Sequence, residues 1–224
     1  MELHALGESA WLIYLPEEAA AVQLSERIRE LAPHWLHDVV PAYASVGVHF
    51  DADRISSIAV AEWIRSVGEA SIAPRVTNDH SGVISIPVCY ERGPDLAAVS
   101  TFLNLTPEAI IEWHSTTTYT VHAIGFVPGF PYLGYLPQEL CGVPRLASPR
   151  TRVEPGSVGL TGRQTGIYPL ARPGGWHLIG RTPLVLVDVA EGFFPLRVGD
   201  RISFTRIDEV EYHQLHGRRV CRPV

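Results

Sequence analysis

Hydrophobic and polar positions follow two different periods along the first third of the chain. Residues 17–31 and 56–67 carry apolar side chains at helical spacing, which predicts two amphipathic helices. Three shorter apolar runs predict strands, at 10–15, 39–40 and 44–50. Pro33 follows the first helical pattern and is expected to close that helix. We therefore expect this part of the chain to fold as a small α/β unit.

The order of these elements favours one layered arrangement. Strand–helix–strand–strand–helix is typical of a split βαβ, ferredoxin-like sandwich, which needs one further strand. That strand would fall within 72–80, where the sequence is polar and irregular. Pro41 and Ala42 are expected to form the turn between the second and third strands, because proline favours turns. We place the end of this domain at residue 80.

The pattern changes after residue 80 and again after Thr116. A strand is predicted at 83–90, followed by two short helices at 95–103 and 107–114. Beyond Thr116, short β-rich runs alternate with glycine and proline, at 118–125, 157–161, 177–180, 184–187 and 202–204. These runs favour a compact antiparallel β-barrel. The chain is therefore expected to be an α+β protein with two domains, 1–80 and 81–224.

Two helix boundaries are marked by individual residues. Asn104 is expected to end the first short helix. Thr106 is suited to cap the second, with Pro107 in its first position and Glu108 in its first turn.

Composition narrows the possible functions. Hydrophobic residues make up 46% of the chain and charged residues 19%, as in an ordinary globular protein. A net charge of −6 and a pI near 5.9 argue against a nucleic-acid partner. The three cysteines lack the paired spacing of a metal site, so we expect no bound metal. No signal-peptide start and no run near ~20 apolar residues is present, so we expect a cytoplasmic protein without membrane association.

The absence of lysine excludes several kinds of chemistry. All 18 residues in the Lys+Arg count are arginines. The chain therefore has no Schiff-base lysine, no phosphate-loop lysine and no lysine that could carry biotin. If ATP or carboxybiotin takes part in a reaction here, another chain must supply that lysine chemistry.

The segment 125–183 concentrates the candidate chemistry. Glycines and prolines recur through it, and they predict rigid loops that can approach a ligand closely. Polar and flat side chains lie between these rigid points, at Arg163, Gln164, Thr165, Tyr168, Arg172, Trp176, His177 and Arg181. Such a set suits recognition of a small planar molecule that is anionic or carries an amide. It suits a tight protein interface equally well.

Two residues near the end of this segment are the candidate catalytic groups. His177 could act as a general acid or base, because imidazole titrates near neutral pH, or it could be a structural histidine bonded to loop carbonyls. Arg181 could bind a substrate carboxylate, although an internal pair with an acid such as Asp188 is slightly favoured.

Four residues earlier in the segment are the candidate substrate ligands. Arg163 and Gln164 lie between glycines, where they could hold a carboxylate and an amide or could pin the loop. Thr165 and Tyr168 follow in the same run and are assigned to substrate binding with them. His114 is expected to be structural, because the helix dipole favours a cation at a helix C-terminus.

Long motifs in the second part of the chain carry a family resemblance. They are GFVPGFPYLG at 125–134, PR at 144–145, PRTRV at 149–153, PGSVG at 155–159, GRQTGIYP at 162–169 and PGGWHLIGRTP at 173–183. GPDL at 93–96 also fits, as does His114 followed by Tyr119-Thr120-Val121. The chain resembles the family of 5-oxoprolinase B subunits, also known as allophanate hydrolase subunit 1, which includes the KipI inhibitor of a sporulation kinase. Glu154 and Thr161 depart from the family pattern in loop detail only.

The resemblance implies a fold, an activity and partners. Proteins of this family have a small α/β N-terminal domain and a cyclophilin-like β-barrel C-terminal domain. The implied activity is that of one component of an ATP-dependent 5-oxoprolinase, a heteromeric cyclic amide hydrolase that converts 5-oxoproline to glutamate. The B subunit is expected to be inactive alone. The implied partners are the 5-oxoprolinase C subunit, also called allophanate hydrolase subunit 2, and the 5-oxoprolinase A subunit, with ATP used by the complex.

Two other functions stay open on the sequence. The KipI resemblance implies a regulator that binds a histidine kinase and blocks its autophosphorylation. The related chains fused within urea carboxylase imply a carboxyltransferase or allophanate hydrolase-type component in urea metabolism. The 5-oxoprolinase subunit and the kinase regulator both require an exposed, rigid protein-binding face.

Overall fold

The structure is a computed structural model that describes residues 1–70 and 82–223. The chain divides into two compact units, Met1–Asp79 and His80–Val224. Helices and mostly antiparallel strands make up both units, so the α+β class is confirmed. Among the described residues, no helix is long and apolar enough to cross a bilayer.

The first unit contains two helices and a four-stranded sheet in its described part. The elements are β1 (Glu2–Ala5), β2 (Ala10–Tyr14), α1 (Glu18–Leu31), β3 (Leu36–Ala42), β4 (Ser45–Phe50) and α2 (Ser57–Ala70). The strands are antiparallel and lie in the order β1-β2-β4-β3. Apolar side chains of both helices and of the sheet form one core, which includes Ile13, Leu24, Ile28, Val48 and Ile64.

Both predicted helices of the first unit are confirmed, and two details differ from the prediction. The pattern did not predict β1, which pairs with β2 at the edge of the sheet. The turn predicted at Pro41–Ala42 is wrong, because Pro41 lies inside β3 and pairs with Val46. The chain reverses instead at Tyr43 and Ala44, where Tyr43 has a φ of 52°. The strand predicted within 72–80 falls outside the described residues.

The second unit is built around a larger sheet. Its elements are β5 (Ile84–Val88), α3 (Leu96–Leu103), α4 (Pro107–Thr116), β6 (Thr118–Ile124), β7 (Pro131–Gly134), β8 (Arg150–Val153), β9 (Ser157–Thr161), β10 (Gln164–Ile167), β11 (Arg172–Gly174), β12 (His177–Arg181), β13 (Arg201–Arg206) and α5 (Glu209–Leu215). Short 3₁₀ turns occur at Tyr90–Arg92 and Gln138–Leu140. The main sheet runs β5-β13-β6-β7-β10-β9-β12, and only its β5–β13 pair is parallel. Strands β8 and β11 form a separate antiparallel pair.

The helix ends of this unit follow local capping chemistry. The Thr106 hydroxyl accepts a hydrogen bond from the Ala109 amide at 3.2 Å, and Asn104 ends α3 in a left-handed conformation with φ 53°. Both features confirm the predicted caps. The apolar pattern did not predict α5, although Asp208 and Glu211 form a capping box at its start.

The prediction of a strand at 184–187 is wrong. Val185 makes only an isolated bridge with Arg219, so this segment has no continuous ladder. Leu186 and Val187 are buried in the main core of the second unit. Their apolar character therefore reflects packing of a loop against the core.

The two faces of the main sheet cover different cores. The larger core lies on one face and includes Ile86, Val121, Leu133, Leu160 and Ile179. A smaller group on the other face, called the aromatic cluster here, consists of Phe130, Val153, Tyr168, Trp176 and Leu178. Because side chains alternate along a strand, neighbouring residues of β10 face opposite sides of the sheet.

Candidate functional site

The turn between β9 and β10 presents Arg163 and Gln164. The turn consists of Gly162 and Arg163, and Gly162 has a φ of 57°, the conformation that favours glycine in tight hairpins. Backbone hydrogen bonds fix it from two sides: Gly162 donates to Val143 at 2.7 Å, and Leu136 donates to the Arg163 carbonyl at 2.9 Å. Backbone hydrogen bonds to two other segments of the chain therefore hold this turn in place.

Arg163 joins a small surface group that we call the Tyr135 face: His122, Tyr135, Arg163 and Gln164. The Arg163 guanidinium carbon lies 4.7 Å from the centre of the Tyr135 ring, and the His122 ring centre lies 5.2 Å from the centre of the same ring. Gln164 pairs with Gly134, the residue before Tyr135. Tyr135 is 42% exposed, so a flat ring stacked on a cation faces solvent.

The segment 125–183 is cationic within an acidic chain. It contains six arginines and two glutamates, which gives a formal charge of +4 against −6 for the whole chain. Two of these arginines pair with carboxylates, Arg150 with Asp95 and Arg152 with Glu154. Arg163 forms no ion pair with any residue that the structure describes. The edge of its guanidinium group can therefore donate hydrogen bonds to an anion. The Tyr135 face thus has the charge and the flat surface that suit a small planar anion.

Thr165 lies on the opposite face of β10, inside the larger core. Its side chain is fully buried and donates a hydrogen bond to the Gly159 carbonyl at 3.0 Å. Its hydroxyl oxygen also lies 3.0 Å from Nε2 of His114, whose Nδ1 lies 2.7 Å from the Tyr90 hydroxyl. The structure therefore places Thr165 in an internal network, and its role as a substrate ligand stays a prediction.

His114 is buried at the centre of this network. Burial lowers the pKa of His114 from its ordinary value of 6.5 to about 3, so the ring is neutral at physiological pH. The structural role predicted for His114 fits this position, but the reason given for it was wrong. A neutral imidazole gains little from the helix dipole, and hydrogen bonding holds it instead.

Tyr168 lies at the far end of β10 from Arg163. Five residue steps along an extended strand separate them by roughly 16 Å. Tyr168 is 2% exposed in the aromatic cluster, and burial raises the pKa of its hydroxyl. Arg163 and Tyr168 therefore do not share one contact site, and substrate binding by Tyr168 stays a prediction.

The two candidate catalytic residues lie at opposite ends of β12. His177 pairs with Leu160, which in turn pairs with Thr165. Arg181 pairs with Ser157, and its Nε donates to the Pro155 carbonyl at 2.9 Å. Four residue steps separate His177 and Arg181 by roughly 13 Å along the strand.

The surroundings of Arg181 and His177 bear on the structural roles that were predicted for them. The predicted internal pair of Arg181 with Asp188 is wrong, because Asp188 pairs with Arg219 at 3.2 Å. The Nδ1 atom of His177 is buried and has no hydrogen-bond partner in the part of the chain that the structure describes. The catalytic roles of His177 and Arg181 stay predictions.

His122 and Tyr135 were not among the site residues predicted from the sequence. In β6, Tyr119, Val121 and Ala123 are buried, and the residues between them are more exposed. This alternation places His122 on the accessible face and was visible in the sequence. Tyr135 gave no such signal, because its position depends on the contact with Arg163 across the sheet. No group of three or more His, Cys, Asp or Glu residues suited to a metal ion occurs in the described ranges.

Comparison with known proteins agrees with the motifs. The family model for the carboxyltransferase domain, subdomain C and D, matches residues 1–193. The 5-oxoprolinase B subunit of Bacillus subtilis is 36% identical over 95% of both chains. The 5-oxoprolinase B subunit of Escherichia coli O157:H7 is 38% identical over 90% of this chain and 94% of its own. The crystal structure of TTHA0988 superposes with a TM-score of 0.76 and 34% identity over 89% of this chain.

These relatives differ in the share of their own length that this chain spans. This chain spans nearly the whole of the two bacterial proteins but only 39% of the TTHA0988 chain. The similarity to the two bacterial proteins is full-length and well above the level at which a fold alone is shared. The chain therefore belongs to the carboxyltransferase subdomain C and D family, the family of the 5-oxoprolinase B subunits.

Proposed function

We propose that this chain is the B subunit of an ATP-dependent 5-oxoprolinase, which hydrolyses the cyclic amide of 5-oxoproline to give glutamate. The observation that carries this proposal is the match to the B. subtilis 5-oxoprolinase B subunit over 95% of both chains. The name of that relative implies further components, and we propose the A and C subunits as the partners. The complex is the active species, and this chain alone is inactive.

The Tyr135 face has the chemistry to hold 5-oxoproline. This substrate is a small flat ring that carries a carboxylate and an amide. The Arg163 guanidinium can bind the carboxylate through two parallel N–H donors. The Tyr135 ring offers a flat surface beside it, and the Gln164 amide has the donor and acceptor groups that match the ring amide of the substrate.

The nucleotide is assigned to another chain of the complex. Cleavage of a stable five-membered amide is helped when the amide oxygen is phosphorylated, which is the use that ATP would serve. This chain has no lysine and hence no phosphate-loop lysine, so its residues do not fit that way of holding ATP. We propose that the B subunit orients the substrate and polarises it with arginine and backbone N–H groups in a site shared with a partner.

We propose a ferredoxin-like sandwich for the first unit and a cyclophilin-like barrel for the second. In the first unit, β1 lies where a ferredoxin-like sandwich has its last strand, next to the first strand of the βαββα order. This position supports a ferredoxin-like domain completed by β1. The set β6-β7-β10-β9-β12 and its glycine-rich turns support a cyclophilin-like barrel in the second unit.

Reconstitution with the partner chains tests the proposed function. The assay measures ATP-dependent glutamate formation from 5-oxoproline with all three chains and with this one omitted. We expect activity only in the full mixture. Arg163→Ala should raise KM for 5-oxoproline about tenfold or more, since a charged hydrogen bond is lost. Arg201→Ala removes an equal charge from an exposed position of β13 and should leave KM unchanged. Equal activity without this chain contradicts the proposal.

A carboxyltransferase function is the second candidate, because the matching family model is described as a carboxyltransferase domain. Such an activity needs a biotin carrier on another chain, since this one has no lysine. Transfer of a carboxyl group from carboxybiotin to urea, measured with the same reconstituted complex, distinguishes the two. Robust transfer without glutamate formation favours the carboxyltransferase.

A further inference from the structure

The hydrogen bonds around His114 run in one direction. The Thr165 hydroxyl has a single proton, which it donates to the Gly159 carbonyl at 3.0 Å. It can therefore only accept from His114, so Nε2 of His114 carries a proton. A neutral imidazole has one N–H, which leaves Nδ1 as the acceptor for the Tyr90 hydroxyl at 2.7 Å. The chain Tyr90→His114→Thr165→Gly159 thus fixes the tautomer of His114.

The histidine is itself held rigidly. Its ring stacks on Phe204 with a centroid distance of 4.4 Å and an angle of 23°. The Tyr119 hydroxyl donates to its carbonyl oxygen at 3.2 Å, at the end of α4. The network therefore ties β10 to α4, β6 and β13, which come from distant parts of the sequence.

Thr165 is the point where this network meets the Tyr135 face. It directly follows Gln164 and lies two residues after Arg163, and its side chain points to the opposite side of the sheet from that of Gln164. The next residue, Gly166, is confined on the other face, where an added Cβ would lie 2.9 Å from the Phe130 ring. Strand β10 is thus fastened from both sides immediately behind the turn that carries Arg163.

A purely structural core does not need these polar groups. Apolar side chains of the same shape could fill this space at equal or lower cost, because each buried polar group must be desolvated. A fully satisfied polar network instead selects one arrangement among several similar ones. The network lies directly behind the turn, so the arrangement that it selects is that of β10 and Arg163.

From these observations we infer that His114 and Thr165 are positioning residues for substrate binding at the Tyr135 face. The network sets the position of Arg163 and Gln164 through the strand that follows them. This inference rests on the proposed function of that face, but the placement of the turn can be measured without it.

Two substitutions at one position test the inference in the reconstituted complex. Thr165→Val keeps the shape and removes the hydroxyl, whereas Thr165→Ser keeps the hydroxyl. We expect Thr165→Val to raise KM for 5-oxoproline about tenfold with little change in kcat, because a small misplacement of a binding group is costly. Thr165→Ser should keep KM within about twofold of the parent value, because the hydroxyl is retained. Ile84→Val, at a buried position of β5 away from the turn, controls for a general loss of stability.

Amide hydrogen exchange at 162–167 gives a readout that does not depend on activity. Thr165→Val should speed exchange there, whereas Thr165→Ser and Ile84→Val should not. The ¹⁵N NMR chemical shifts of the His114 ring in the parent chain should show a proton at Nε2. Unchanged exchange in Thr165→Val, or a proton at Nδ1, overturns the inference. If Arg163→Ala leaves KM unchanged, the proposed function of the face fails, and the exchange result still decides whether the network positions the turn.

Discussion

Asp95 and Leu178 are joined by two hydrogen bonds along the outer edge of β12. The Asp95 amide donates to the Leu178 carbonyl at 2.9 Å, and the Leu178 amide donates to Oδ2 of Asp95 at 2.7 Å. The aspartate therefore takes the place of a neighbouring strand, using its side chain as the acceptor. Arg150 donates to the remaining carboxylate oxygen at 2.6 Å, which neutralises the charge of this nearly buried group.

Loss of this carboxylate should destabilise the second unit. Asp95→Ala leaves the Leu178 amide and the Arg150 guanidinium without their acceptor, so we expect a loss of about 2–4 kcal/mol in unfolding free energy. Urea unfolding followed by tryptophan fluorescence measures it. Arg152→Ala breaks an exposed pair with Glu154 and should have little effect. Equal losses of unfolding free energy in the two variants would show that the Asp95 contacts stabilise the unit no more than an exposed ion pair does.

Gly93 precedes this aspartate in the GPDL motif and should not tolerate a side chain. A Cβ at Gly93 would lie 2.1 Å from the Ile179 carbonyl carbon and 2.2 Å from its oxygen. Both are backbone atoms of β12 and cannot move without breaking the sheet, so Gly93→Ala should abolish soluble, cooperatively melting protein. Gly175→Ala, whose added Cβ meets nothing closer than 3.6 Å, is the matched control. Normal melting of Gly93→Ala would contradict the close approach.

The buried His114 should make stability depend on pH. Burial depresses the pKa of the folded histidine to about 3, so between its ordinary value of 6.5 and that value the unfolded chain binds a proton that the folded chain does not. Stability should thus be complete above about pH 6.5 and fall as the pH decreases, by up to about 1.4 kcal/mol per pH unit.

Urea unfolding at several pH values between 7 and 5 checks this expectation. His114→Gln cannot titrate, so its stability should fall less steeply by about one proton. Glu91 and Glu154 also have lowered pKa values and contribute with the same sign, but they are common to both chains and cancel in the comparison. NMR titration of the parent histidine gives an independent answer, and protonation of His114 near pH 6 would disprove the prediction.

Removing the Tyr135 ring should weaken substrate binding through Arg163. Tyr135→Ala takes away the surface on which the guanidinium rests, whereas Tyr135→Phe keeps it. An exposed cation–π contact contributes about 0.5–1 kcal/mol, so we expect KM for 5-oxoproline to rise about two- to fivefold in the alanine variant and less in the phenylalanine variant. Steady-state kinetics of the complex measure both. Equal effects of Tyr135→Phe and Tyr135→Ala would assign the role to the hydroxyl instead of the ring.

Local signals in the sequence determined much of the fold. Helical spacing of apolar residues placed α1 and α2, and Thr106 and Asn104 marked helix ends, because capping depends only on a few adjacent residues. The glycine- and proline-rich motifs between 125 and 183 determined the family, since a long specific string does not depend on contacts. The weakly apolar β1 was not predicted, because pairing with β2, rather than its own pattern, makes it a strand.

Tertiary structure alone decided which of the candidate residues meet. His177 and Arg181 are close in sequence but lie at opposite ends of one strand, because an extended chain advances about 3.3 Å per residue. Tyr135 and Arg163 are far apart in sequence but meet through the pairing of β7 with β10. Thr165 turned inward because side chains alternate about a strand whose register is set by its neighbours. Register and strand order are long-range properties, and no local pattern in the sequence encodes them.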